Sequence, residues 1–195
     1  STITAGTPVA IDSAGNPATT NVSVSALSSS SFAVAYGNSN NATLYGTVAT
    51  VSGTTITAGT PTQLHNTTIG YPSVIGLDST HFAVAYSNSG ASSFGYAVVS
   101  SVSGTTITAG TPVALNGVSS SYTSATMLSS SSFVVAYKNK STTTANAIVA
   151  TVSGTTITAG TPVALNSVNS TNISTATLSS SSFVVAYRND TTTFA

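Results

Sequence analysis

The chain has almost no charge and no cysteine. Its 195 residues include three Lys or Arg, three Asp, no Glu, no Trp and no Cys, whereas an ordinary soluble domain is about 25% charged. Binding to a nucleic acid backbone requires clustered basic residues, so this composition excludes it as a main function. Disulfides play no part in the fold. We also expect no membrane span, because no apolar run approaches the ~20 residues that a spanning helix needs.

Polar surface must therefore come from hydroxyl and amide groups. Ser and Thr account for 72 of the 195 residues, while 41% of the residues are hydrophobic. Disordered chains combine low hydrophobicity with high net charge, and this chain has neither property. We therefore expect an ordered protein with a hydroxyl-rich surface.

An apolar pentapeptide recurs four times at a nearly constant spacing. The copies begin at Phe32, Phe82, Phe133 and Phe183, which are 50, 51 and 50 residues apart. Each reads Phe-Ala-Val-Ala-Tyr or Phe-Val-Val-Ala-Tyr, so both faces of the predicted strand are apolar and the strand lies inside a sheet. A constant period of this length is typical of repeat architectures.

Three further segments of each repeat read as short strands. A small-residue strand a precedes the pentapeptide (strand b), strand c follows it, and a Val-Ser-Gly turn leads into strand d, Thr-Ile-Thr-Ala-Gly-Thr-Pro. The Gly of strand d predicts a bulge or bend, and its Pro predicts an edge position. Strand d is assigned to residues 1–12, 55–64, 106–115 and 156–165, and strand a to 22–27, 71–77, 122–128 and 172–178.

Four antiparallel strands per period of about 50 residues, without helical periodicity, are typical of propeller blades. The predicted fold is an all-β propeller of four blades in one domain, 1–195, with repeats at 13–65, 66–115, 116–165 and 166–195. The N-terminal strand d, 1–12, completes the last blade. A larger ring, a β-solenoid and a pair of β-sandwich domains remain alternatives.

The repeats also resemble a known group. Phe-Val-Val-Ala-Tyr followed by Ala-Ile-Val-Ala-Thr-Val-Ser-Gly-Thr-Thr-Ile-Thr-Ala-Gly-Thr-Pro-Val is similar to uncharacterised β-propeller-type repeats of about 50 residues in large secreted bacterial and archaeal surface proteins. The resemblance covers all four repeats and implies an extracellular, cell-surface location. It carries no catalytic residues.

The last repeat stops inside strand c. Aligning Tyr187 with Tyr137 places Ala195 on Ala145, which leaves the equivalent of residues 146–154 without a counterpart. A small ring with a short strand, a fragment of a longer array, and completion by a neighbouring subunit through strand addition each account for this gap. The chain also begins without Met or a signal peptide, as a processed form or a piece of a longer product does.

Candidate chemistry is sparse. Asp78 and His81 share one turn, where the other repeats have Ser, and we interpret them as a turn rather than a catalytic or metal pair. The carboxylates are too few for a calcium site, and we predict no catalytic residues, cofactor or metal. The Thr-Ile-Thr triplets read as solvated edge strands rather than as an ice-binding array.

Glycans provide the remaining candidates. Tyr45, Tyr71, Tyr96 and Tyr122 have rings suited to stacking on sugars, but packing at strand ends is the favoured interpretation. Asn-x-Ser/Thr sequences mark possible N-glycosylation sites. These sites are Asn21, Asn41, Asn66, Asn139, Asn169, Asn172 and Asn189.

The expected function is therefore structural. We predict a non-enzymatic, secreted, cell-surface glycoprotein that self-associates through its terminal strands into a filament or sheath. The alternative is a carbohydrate-binding or adhesion module with glycans as partners, and an enzyme ranks third.

Overall fold

A computed structural model describes residues 6–10 and 19–191, and every regular element in that part of the chain is a β-strand. The prediction of an all-β fold is confirmed. The strands pair antiparallel in open sheets, and none of the sheets formed by the described residues closes into a barrel. The hydrogen-bonded strands form sheets of five, nine and two strands, and the nine-stranded one spans two repeats that share one long strand. We treat the strands of each repeat as one layer and number these layers sheets I to IV in chain order.

Sheets I and II have the same strand order. Sheet I contains β1 (Thr19–Ser28), β2 (Ser31–Asn38), β3 (Thr43–Ser52), β4 (Thr55–Ala58) and β5 (Thr62–His65). Sheet II contains β6 (Ile69–Asp78), β7 (His81–Asn88), β8 (Phe94–Ser103), β9 (Thr106–Ala109) and the start of β10 (Val113–Ser129).

Sheet III repeats this order and sheet IV has two strands among the described residues. Sheet III contains the second part of β10, β11 (Ser132–Asn139), β12 (Ala145–Ser153), β13 (Thr156–Ala159) and β14 (Val163–Ala164). Sheet IV contains β15 (Ser170–Ser179) and β16 (Ser182–Asn189).

Two kinds of short turn connect the strands. Between the first two strands of each sheet, a side-chain oxygen accepts a hydrogen bond from the backbone two residues later, as Ser28 Oγ does from Ser30 N at 3.1 Å. Between the third strand and the next, a two-residue turn begins with Gly53, Gly104 or Gly154 at φ of +60°, +62° and +59°. This left-handed backbone conformation favours Gly and suits a hairpin of two residues.

The sheets stack in chain order, and large side chains pack against small ones. Phe82, Val84 and Tyr86 of sheet II pack against Ala33 and Ala35 of sheet I. The same arrangement recurs between sheets III and II, where Phe133, Val135 and Tyr137 meet Ala83 and Ala85, and again between sheets IV and III. In sheets II to IV, the Phe side of the pentapeptide therefore faces the preceding sheet, and in sheets I to III the opposite side faces the following one.

Several strand assignments need correction. Strand d is interrupted: in sheet I it consists of β4 and β5, separated by Gly59–Pro61, and both pieces pair with β3. Pro has no amide hydrogen for the ladder, so the interruption falls at the Pro. Residues 116–121, which lie between the predicted strands d and a, are instead part of the continuous strand β10. Of the predicted strand at 1–12, residues 6–10 form no strand, and the others lie outside the described residues.

Candidate assembly interface

Serine hydroxyls join the first strands of successive sheets. Ser23 Oγ accepts a hydrogen bond from Val74 N, Ser73 Oγ from Ala125 N, and Ser124 Oγ from Thr175 N, each at 3.0 Å. The three serines occupy one position in their strands, opposite Ala35, Ala85 and Ala136. A side chain of one sheet thus satisfies a backbone donor of the next, and we call these three bonds the serine ladder.

The ladder ends at sheet IV. Ser174 is the fourth equivalent residue, because it lies opposite Ala186. Its side chain is exposed. No hydrogen bond joins its hydroxyl to another sheet within residues 6–10 and 19–191. A fifth strand of the same kind would find an acceptor here.

One apolar position of the third strand differs sharply between sheets. Val48 and Val99 are 0% exposed, whereas the equivalent Val149 is 40% exposed. Val48 packs in the core between sheets I and II, and Val99 in the core between sheets II and III. Val149 lacks an equivalent cover, because sheet IV contains only β15 and β16 among the described residues.

A Leu later in each repeat shows the same contrast in exposure. Leu64 and Leu115 are 4% exposed, but Leu165 is 39% exposed. Val149 and Leu165 line an apolar groove of about 320 Å³ between sheets III and IV, which we call the sheet III groove. The remaining lining residues are Ala147, Gly160, Thr161, Val163 and Phe183.

At the two internal interfaces, an Ile side chain of the following sheet covers the Val of the third strand. Ile107 of β9 packs into the core that contains Val48 and Leu64. Ile157 of β13 does the same for Val99 and Leu115. The cover is therefore the Ile of a Thr-Ile-Thr strand in the following sheet, and the groove lies where a further strand of this sequence would fit.

The opposite end of the stack carries the complementary features. Val24 of sheet I is 62% exposed, although its equivalent Val74 is buried against sheet I. Ile56 is half-buried, whereas Ile107 is buried. Gly6 lies so close to the Thr54 carbonyl that a Cβ would collide with it, as a Cβ on Gly59 would with the Thr105 carbonyl. Residue 6 therefore lies on sheet I in the position that strand d of a preceding sheet would take.

The Asp78–His81 pair forms part of a turn. Asp78 Oδ1 accepts hydrogen bonds from Thr80 N at 2.6 Å and Thr80 Oγ1 at 2.7 Å, and both carboxylate oxygens lie 3.2 Å from His81 Nδ1. Partial burial acts to raise the pKa of Asp78, but the bonds from Thr80 and His81 outweigh it and lower the pKa below its ordinary value. The equivalent Ser129 accepts the same backbone bond in sheet III.

This pair lacks the geometry of a catalytic relay. Thr80 Oγ1 and Asp78 both contact Nδ1 of His81. In a nucleophile–His–carboxylate relay, the nucleophile and the carboxylate contact opposite ring nitrogens. The arrangement instead supports the interpretation of a hydrogen-bonded turn.

A second histidine contact was not predicted from the sequence. His65 Nδ1 lies 2.6 Å from the buried Tyr86 hydroxyl, and the His65 and Tyr96 rings are 5.8 Å apart. Burial lowers the pKa of His65 and raises that of Tyr86. The signal in the sequence is that His65 replaces Asn116 and Asn166, which cap the equivalent loops through bonds to Val118 N and Val168 N.

The four tyrosines considered for sugar stacking occupy two positions. Tyr45 stacks on Tyr36 with 5.9 Å between ring centroids, and Tyr96 stacks on Tyr86 at 6.2 Å. Tyr71 and Tyr122 are neighbours on sheets II and III at 5.2 Å, both with φ of +51° at a bulge. Asn21 and Asn172 hold this bulge position in sheets I and IV.

The seven possible glycosylation sites differ in exposure. Asn21, Asn41, Asn66 and Asn172 are exposed, whereas Asn139, Asn169 and Asn189 are half-buried. The Oδ1 atoms of Asn139 and Asn189 each accept a hydrogen bond from the backbone N–H two residues later. Asn169 Oδ1 accepts a hydrogen bond from the Lys138 side-chain Nζ at 2.6 Å. The Asn41 amide nitrogen donates to Tyr45 at 3.1 Å. Glycosylation at the seven sites stays a prediction.

The described ranges contain no candidate metal site and no candidate membrane-spanning helix. No group of three His or Asp side chains is close enough there to hold a metal ion. Within the same residues, no helix has the length and apolar character needed to cross a bilayer.

Comparison with known proteins assigns no family. No protein-family model matches the chain, and no curated protein sequence matches it.

Proposed function

We propose that the chain is a non-enzymatic structural module of an extracellular surface, which self-associates through its terminal sheets into a filament or sheath. The observation that carries this proposal is the repeated stacking of sheets through equivalent contacts, with exposed apolar side chains remaining at the ends: Val24 in sheet I and Val149 in sheet III. A contiguous exposed apolar surface commonly marks an interaction site.

The composition supports an extracellular setting. The three acidic and three basic side chains of the whole chain leave few groups to titrate, so the surface properties change little over a wide pH range. The resemblance to repeats of secreted surface proteins points the same way. The expected propeller would use sheets I to IV as its four blades. A four-bladed ring, closed by the N-terminal strand of the same chain, is the alternative to open assembly.

Sedimentation velocity on the purified chain over a hundredfold range of concentration tests self-association. We expect the sedimentation coefficient to rise with concentration, and electron micrographs of concentrated samples to contain linear particles. A single monomeric species throughout that range would refute the proposal.

One feature favours a carbohydrate-binding function as the second candidate. Tyr71 is 43% exposed beside the half-buried ring of Tyr122, and exposed aromatic faces suit stacking on sugar rings. A glycan array on the unmodified chain and on Tyr71→Ser tests this function. Specific binding that the substitution abolishes would support it.

A further inference from the structure

We propose that the sheet III groove receives the N-terminal Thr-Ile-Thr-Ala-Gly-Thr-Pro segment, residues 2–8, of a second copy of this chain. This inference rests on the proposed self-association and names the two surfaces that meet. The resulting contact is head-to-tail, because the groove and the segment belong to opposite ends of the stack. Such contacts extend into filaments when they do not close into a ring.

The two internal interfaces determine the chemistry of the occupant. Between sheets I and II, and again between sheets II and III, the third strand's Val is covered by the Ile of a following Thr-Ile-Thr strand. The chain contains four copies of this sequence, beginning at Thr2, Thr55, Thr106 and Thr156. The last three belong to sheets I, II and III, which leaves the copy at Thr2 to cover a groove.

The position of Gly6 gives the direction of the contact. Gly6 lies against Thr54 as Gly59 lies against Thr105, and Gly110 similarly lies against Thr155. In the two internal cases, the Gly belongs to a strand d whose own sheet precedes the sheet it touches. Residue 6 therefore lies where strand d of a preceding sheet would lie. In the assembly, that preceding sheet is sheet IV of a second copy.

A polar group also becomes satisfied in this arrangement. Ser174 of one copy comes to face Val24 of the next, as Ser23 faces Val74 within the chain. The contact then repeats the serine ladder, and its apolar part buries Val149, Val163 and Leu165.

A cysteine pair tests the contact directly. The chain contains no Cys, so Thr4→Cys combined with Thr161→Cys introduces one thiol in the segment and one at the rim of the groove. After mild oxidation, we expect a ladder of covalent dimers, trimers and longer species on a non-reducing gel. The matched control, Thr4→Cys with Thr108→Cys on the exposed edge of β9, should give no ladder.

Charge substitutions provide a second arm. We expect Val149→Asp and Ile3→Asp each to weaken self-association at least about 100-fold, since an unpaired carboxylate would be buried in the contact. A mixture of the two variants keeps one intact pair of surfaces and should form heterodimers but no longer species. Thr108→Asp, at an exposed position of β9 outside the groove, should associate like the unmodified chain.

The remaining outcomes separate this inference from the proposed function. An internally cross-linked monomer would show that the segment fills the groove of its own chain, which overturns the inference in favour of a closed ring. Association that survives both Val149→Asp and Ile3→Asp would overturn it while leaving self-association intact. If the unmodified chain never associates, both proposals fail.

Discussion

Sheets II and III carry nearly the same third strand in two different surroundings. Ala97-Val98-Val99-Ser100 of β8 corresponds to Ala147-Ile148-Val149-Ala150 of β12, and the two segments pair with their neighbours in the same register. Val99 is nevertheless fully buried, whereas Val149 is 40% exposed. Burial in this molecule therefore depends on the next repeat along the stack, since the local sequence is almost unchanged.

The largest expected effect comes from placing a charge at this position. Val99→Asp should lower the free energy of unfolding by about 3 kcal/mol or more, because it buries an unpaired carboxylate. Val149→Asp should cost less than about 1 kcal/mol, as is usual for exposed positions. Urea denaturation at a concentration where the chain is monomeric checks both values. Equal losses would mean that Val149 is covered in solution.

The aromatic residue of the pentapeptide gives the next contrast. Phe133 is buried between sheets II and III, whereas Phe183 is half-buried beside the sheet III groove. Phe133→Ala should cost about 3–5 kcal/mol through the cavity that it leaves. Phe183→Ala should cost about half as much, since solvent already reaches its site. Thermal unfolding followed by circular dichroism measures the difference, and a reversed order would contradict the stacking.

The serine ladder allows a smaller test. Ser73→Ala removes the acceptor of the Ala125 N–H and should cost about 1 kcal/mol, the typical penalty for a partly buried donor without its partner. Ser174→Ala should leave the stability of the monomer within about 0.5 kcal/mol. Both are read from denaturant midpoints. A loss at Ser174 as large as that at Ser73 would indicate that the fourth rung is formed within one chain.

The smallest expected effect is on the pH dependence of stability. It distinguishes His65 from its equivalents, Asn116 and Asn166. Burial lowers the pKa of His65 in the folded chain, so below about pH 6.5 the unfolded chain binds the proton first. Stability should therefore fall as the pH drops from 6.5 toward the folded pKa and stay level above 6.5. His65→Asn should remove this slope. Denaturation at several pH values measures the slope. A slope that persists in the variant would belong to another group.

Local patterns in the sequence predicted much of the fold. The period of about 50 residues, the doubly apolar pentapeptide and the Val-Ser-Gly turns were enough to predict antiparallel strands with a buried central strand. The prediction of strand d was only partly right. One strand ends before the Gly-Thr-Pro step, and a second strand begins after it. Propensity alone does not distinguish a bend within one strand from a gap between two.

The candidate interface was harder to predict. The sequence analysis led to the expectation of self-association but named no residues of the contact. The recurrence of Ser23, Ser73, Ser124 and Ser174 was visible but was interpreted only as part of a small-residue strand. Hydrogen bonds between residues 51 or 52 positions apart become apparent only when the sheets are placed on one another.

The sequence by itself determined the strand content, the repeat, the near absence of charge and the scarcity of groups suited to catalysis. These properties follow from composition and short-range periodicity, which are local. The tertiary structure alone decided that Val48 and Val99 are buried while Val149 is exposed, and that the serine ladder runs from sheet I to sheet IV. The physical reason is that each of these features depends on a neighbour about 50 residues away, whose presence or absence changes burial without changing the local sequence.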